Sequence, residues 1–164
     1  MKMNRHANIV TGMAGLMGAV LLSLPAFAQD MEECFEHVTG GGWIDGTPSG
    51  GSANFGVGGG VFDDGTRWGH LNYVDQDADL HVVWTEVTGY STDPNDSNCR
   101  FIEYNVRING EPGQARVRVC DYDEPGWEDT FEIRLSTGYV ASGDLDGEDT
   151  GGGNIQLHLE EDCE

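Results

Sequence analysis

Beyond an apolar opening, hydrophobic and polar residues alternate along this chain in short runs that stop at Gly, Asp, Asn and Pro. A period of two puts successive side chains on opposite faces of an extended strand. The runs predict strands near residues 35–44, 52–62, 67–75, 78–89, 99–108, 111–121, 129–137, 139–145 and 152–159. No long run with a helical period follows residue 24, and glycine is abundant at 25 of 164 residues. The expected fold is all-β: a single antiparallel β-sandwich or flattened barrel of about nine strands, formed by one domain over residues 29–164.

Asn109-Gly110 marks the clearest hairpin. Both central residues of a type I′ turn need positive φ, which Asn and Gly tolerate. Counting outward from that turn pairs Ile108 with Glu111, Tyr104 with Ala115 and Ile102 with Val117. On the other face it pairs Glu103 with Arg116 and Cys99 with Cys120. The two cysteines then occupy a non-hydrogen-bonded pair, where Cα atoms come closest and a disulfide can span them. Four cysteines allow three pairings; this register selects Cys99–Cys120 and leaves Cys34–Cys163, so two disulfides are expected. A second turn at Gln76-Asp77 pairs Tyr73 with Leu80 and Leu71 with Val82. Trp68, His70, Asn72, His81, Val83 and Thr85 fall on the opposite face, with His70 and His81 as diagonal neighbours that could share a zinc ion. Trp84 alternates with Val82 and is expected in the core.

The opening changes the setting. Lys2 and Arg5 precede an apolar run from Ile9 to Leu24, which ends in Pro25-Ala26-Phe27-Ala28. This is the pattern of a cleaved secretory signal peptide over residues 1–28. The predicted localisation is periplasmic or secreted, where thiols oxidise. No cysteine directly follows the expected cleavage point, so no lipid anchor is expected. No later apolar stretch approaches the roughly 18 residues of a membrane span, so no membrane insertion is expected after signal cleavage.

Charge narrows the partners. The chain carries 29 acidic residues against 8 basic ones, a formal charge of −21; loss of Lys2 and Arg5 makes it −23. Nucleic acid and anionic membranes are poor partners for such a surface. An unknown protein or a glycan is the expected partner. Three acidic loops are candidate Ca²⁺ ligands, because this hard cation takes six to eight oxygens: Asp75, Asp77 and Asp79; or Asp121, Asp123, Glu124 and Asp129; or Asp144, Asp146 and Asp149. None completes a known calcium-loop pattern, and Asp is also common in turns; no cofactor is otherwise expected. Among Trp43, Trp68, Trp84 and Trp127, Trp127 is the candidate ligand-binding ring, because it sits in an acidic loop rather than a strand.

No nucleophile elbow or phosphate loop is present, and no catalytic residue is assigned. Val38-Thr-Gly-Gly-Gly-Trp-Ile44, Ala53-Asn-Phe-Gly-Val57, His70-Leu-Asn-Tyr-Val-Asp75, Val87-Thr-Gly-Tyr90, Val106-Arg-Ile-Asn-Gly110, Glu124-Pro-Gly126, Asp129-Thr-Phe-Glu-Ile133 and Gly151-Gly-Gly-Asn-Ile-Gln-Leu-His158 together resemble a family of small exported bacterial β-domains, the post-choice-of-anchor domains. The resemblance implies an all-β exported module of unknown ligand, with no catalytic residues to carry over. The expected function is a non-catalytic exported binding or surface-interaction domain. The alternatives are a Ca²⁺-stabilised carbohydrate-binding module and a small secreted hydrolase.

Overall fold

The computed structural model describes residues 35–122, 124–147 and 151–159. Among the described residues nine strands form: β1 (His37–Ile44), β2 (Ala53–Val61), β3 (Arg67–Asp75), β4 (Leu80–Asp93), β5 (Asp96–Ile108), β6 (Glu111–Cys120), β7 (Thr130–Leu135), β8 (Val140–Asp144) and β9 (Gly151–His158). They make one antiparallel sheet in the order β8-β7-β6-β5-β4-β3-β2-β1-β9. β1 to β8 run as a meander, and β9 returns to lie beside β1. A bridge between Asp146 and Gly152 links the strip after β8 to β9, so the sheet nearly closes into a barrel rather than a two-layer sandwich.

Closure puts one face of every strand inside. Ile44, Val57, Leu71, Tyr73, Val82, Ile102, Tyr104, Val117, Phe131, Ile133 and Ile155 are fully or almost fully buried there. Phe131 stacks on Phe55 with ring centroids 3.9 Å apart, and on Tyr73 at 6.1 Å. On the outer face, three rings lie against glycines of a neighbouring strand. A Cβ at Gly58 would meet the His70 ring at 2.6 Å, one at Gly60 the Trp68 indole at 2.7 Å, and one at Gly152 the Trp43 indole at 2.7 Å. Glycine at those sites lets the rings settle on the sheet surface.

The β5–β6 hairpin follows the expected register throughout. Asn109 and Gly110 have φ of 51° and 90°, Tyr104 faces Ala115, and Cys99 faces Cys120. These cysteines form a disulfide with Cα atoms 4.1 Å apart. Cys34 and Cys163, the other expected pair, lie outside the described residues.

The β3–β4 hairpin corrects its expected register by two residues: Tyr73 faces Val82, and Asp75 faces Leu80. The turn takes four residues, Gln76 to Asp79, because Asp79 adopts a φ of 49° and the neighbouring hairpin clamps it. Asn109 donates through Nδ2 to the Asp79 carbonyl at 2.7 Å and accepts the His81 N–H at 2.7 Å. The inward set is unchanged, since a shift of two preserves the face. The shift moves His81 opposite Val74, beyond the diagonal of His70, and His81 Nε2 instead bonds Asn72 Oδ1 at 3.0 Å. β4 and β5 also run further than their expected ends, to a tight turn at Pro94-Asn95, where Asp93 accepts the Asn95 N–H at 2.9 Å.

Candidate functional site

Among the described residues, the three acidic loops do not draw their carboxylates together. Among the described residues no group of three or more Asp, Glu, His or Cys converges in a way that could hold a metal ion. In the first loop Asp75 turns inward and is fully buried. Its carboxylate accepts Ser49 Oγ at 2.9 Å, Tyr139 OH at 2.8 Å and the Ala78 N–H at 3.1 Å. Asp77 lies against Gly51, and Asp79 is exposed. In the second loop, Asp129 is buried and accepts the N–H of Tyr122 at 3.0 Å and of Ile155 at 2.7 Å. Asp121 accepts the Leu157 N–H at 2.7 Å. Glu124 is exposed, and Asp123 lies outside the described residues. These carboxylates act as backbone clasps, holding the β6–β7 loop to β9. In the third loop Asp144 and Asp146 are exposed, and Asp149 lies outside the described residues.

Asp75 therefore belongs to a structural network. Alternate hairpins of a meander sit at the same end of the barrel, and the β1–β2, β3–β4 and β7–β8 turns meet at this carboxylate. Tyr139 gives its proton to Asp75, so its oxygen accepts from Tyr73 at 2.7 Å. Burial pushes the Tyr73 phenol up to about 12 and the Tyr139 phenol higher still, so both stay protonated donors. Burial alone would raise the Asp75 carboxyl. Hydrogen bonds from Tyr139, Ser49 and Ala78 outweigh it and hold the group below the ordinary carboxylate value. A carboxyl depressed on folding stabilises fully above its unfolded value of about 3.9, and that contribution is lost as pH falls through the folded value. Tyr139→Phe should therefore cost about 1–3 kcal/mol at pH 7, a gap that narrows in acid. Urea unfolding of both proteins at pH 7 and in strong acid checks this; a gap of the same size at both would mean that the hydroxyl does not hold a carboxylate.

A better site lies where β3 and β4 stop pairing. Their ladder runs only from Asp75–Leu80 to Asn72–Val83. Beyond it, β3 stays paired with β2, while β4 follows β5. β4 is also bulged against β5 between Trp84 and Glu86 and again between Val87 and Gly89. A bulge re-aims the side chains beside it and sharpens the local twist. Trp84 is accordingly 40% exposed, not in the core as the alternation of Val82 and Trp84 suggests, and Val87 takes the next inward place. Inside the opening, Tyr104 donates to the Gly58 carbonyl at 2.8 Å and lies 3.3 Å from that of His70.

The outer surface over this stretch is a cleft of about 600 Å³ whose lining includes Trp68, Trp84, Arg67, Thr66, Thr85 and Glu86. The Trp68 ring is half-buried, packed edge-on to Phe35 at 5.8 Å. Glu86 accepts Asn105 Nδ2 at 2.9 Å, and Thr85 donates to the Asn105 carbonyl at 3.0 Å. Arg67 is exposed and makes no ion pair or hydrogen bond among the described residues. The other arginines beyond residue 28 are engaged: Arg100 with Glu36, Arg116 with Glu103, Arg118 with Asp93, Arg134 with Glu132, and Arg107 with the Gly110 carbonyl. In so acidic a chain, a guanidinium without a carboxylate partner at the rim of a cleft is a donor open to a ligand.

Sequence reasoning singled out Trp127, which is 67% exposed on the β6–β7 loop, and did not bring Trp68 and Trp84 together. The available signal was the break in alternation along β4, where inward positions pass from even (Val82) to odd (Val87) numbers, as a bulge requires. Comparison with protein-family models, with curated proteins and with solved structures finds no match for this chain.

Proposed function

We propose that this protein is an exported, non-catalytic binding domain that takes a neutral saccharide in the cleft between β3 and β4. The observation that carries this reading is the pair of indoles, Trp68 and Trp84, in one open cleft beside the Arg67 guanidinium, which is unpaired among the described residues. Indole faces pack on the apolar C–H faces of sugar rings, and a few polar groups at the rim fix orientation through hydroxyls. The formal charge of −21 argues for an uncharged ligand over a polyanion. Among the described residues Glu86 is the one carboxylate in the lining, whereas glycoside hydrolysis ordinarily needs two flanking the bond. The buried Cys99–Cys120 disulfide and the signal-like opening support export.

The test is binding to a panel of neutral oligosaccharides by calorimetry. Trp84→Ala should weaken binding about tenfold, equivalent to about 1.4 kcal/mol, with the circular dichroism spectrum unchanged. Loss in Trp127→Ala and none in Trp84→Ala would move the site to the acidic β6–β7 loop. That second reading is favoured by the 67% exposure of Trp127, and it is the one to which Ca²⁺ stabilisation by the neighbouring acids would belong.

A further inference from the structure

β9 is joined to β1 along eight residue pairs, and the pair at the end of that ladder is His37 with His158. Their imidazoles stack, with centroids 4.3 Å apart and planes inclined by 12°. Both rings are half-buried. His37 Nδ1 lies 3.0 Å from the Phe35 carbonyl oxygen. A carbonyl only accepts, so Nδ1 carries the proton and the neutral ring keeps its lone pair on Nε2. A ring oriented by a backbone carbonyl, with its second nitrogen free, is the arrangement found in metal-binding histidines. The His158 side chain makes no hydrogen bond among the described residues, so its stack on His37 is the contact that holds the ring.

We propose that His37 and His158 form a two-imidazole site for a divalent transition ion, Zn²⁺ or Cu²⁺, with water completing the coordination shell. Two nitrogens bound at about 2.0–2.1 Å on a tetrahedral ion stand roughly 3.3 Å apart, and directly opposed residues reach that separation when the His158 ring turns out of the stack and aims its in-plane lone pair at the ion held by His37 Nε2. Nitrogen ligands select these borderline ions over Ca²⁺ and Mg²⁺, and the negative charge of the chain raises the local cation concentration. Bound there, the ion ties the last strand of the barrel to the first. His70 and His81 lie on other strands and take no part.

The experiment uses the untagged protein, stripped with chelator and melted with and without added Zn²⁺ or Cu²⁺. A ligand of the native state raises the melting point, so a rise of several degrees is expected with either ion and none with Ca²⁺ at the same concentration. His37→Gln and His158→Gln should each abolish the rise, and His70→Gln should keep it. Electron paramagnetic resonance of the Cu²⁺ form, which does not depend on how the variants fold, should show two equatorial nitrogens. No shift with either ion, a shift that persists in both His37→Gln and His158→Gln, or a spectrum with fewer than two nitrogens overturns the proposal.

Discussion

Phe131→Ala should destabilise the protein by about 3–5 kcal/mol, the usual cost of deleting a large ring from a packed interior. Phe131 is fully buried on β7. Its ring lies almost parallel to Phe55 of β2 at 3.9 Å and to Tyr73 of β3 at 6.1 Å, so it spans the barrel from one wall to the other. The strands facing it are fixed by ladders on both sides and cannot collapse into the space it leaves, and a cavity that persists adds to the lost burial. Denaturant unfolding should show a lower midpoint with an unchanged slope, and the melting temperature should fall by roughly 15 °C. A loss below about 1.5 kcal/mol would mean that the interior relaxes around the missing ring, contrary to a closed barrel. Phe131→Leu should recover most of the loss, since it restores apolar volume without the stacking.

Removing the Cys99–Cys120 disulfide is the second large effect. The bond closes a loop with a sequence separation of 21, for which the chain-entropy relation gives about 3 kcal/mol. Paired replacement by alanine is the clean form of the test, because both positions are fully buried and a serine hydroxyl would need a partner there. The register is already set by Asn109-Gly110 and nine further residue pairs, so the alanine protein should keep its fold and lose stability. Unfolding by denaturant measures the difference. A loss under 1 kcal/mol would show that the unfolded chain holds this hairpin together without the bond.

These two features also mark how far the sequence could be read. The β5–β6 register followed from local chemistry alone: a turn needing positive φ at two residues that tolerate it, and two cysteines falling opposite each other. The nine strands were legible because each buries one face, which imposes the period of two. What escaped was set by contacts between distant segments. The β3–β4 turn is lengthened by Asn109, a residue of another hairpin, bonding to Asp79 and His81. Asp121 and Asp129 of the β6–β7 loop hold backbone N–H groups of β9, a strand that their local sequence does not reveal. The cleft beside Trp84 depends on where β3 leaves β4, and the bulge that opens it shows in sequence only as a lapse in alternation.

The position of β9 also decides when folding can finish. The ladders from β1 to β8 each join consecutive strands and can zip as hairpins, whereas β1 must wait for β9. Bringing such distant segments together carries the largest loop-closure entropy in the molecule, and pairings of this range are slow to form. Until they form, β1 shows a bare edge containing Gly40, Gly41 and Gly42, free of the charges that keep other chains from docking on an exposed strand. Residues 151–158 thus serve as an in-built guard: a newly made copy stays sticky until β9 arrives to cover β1.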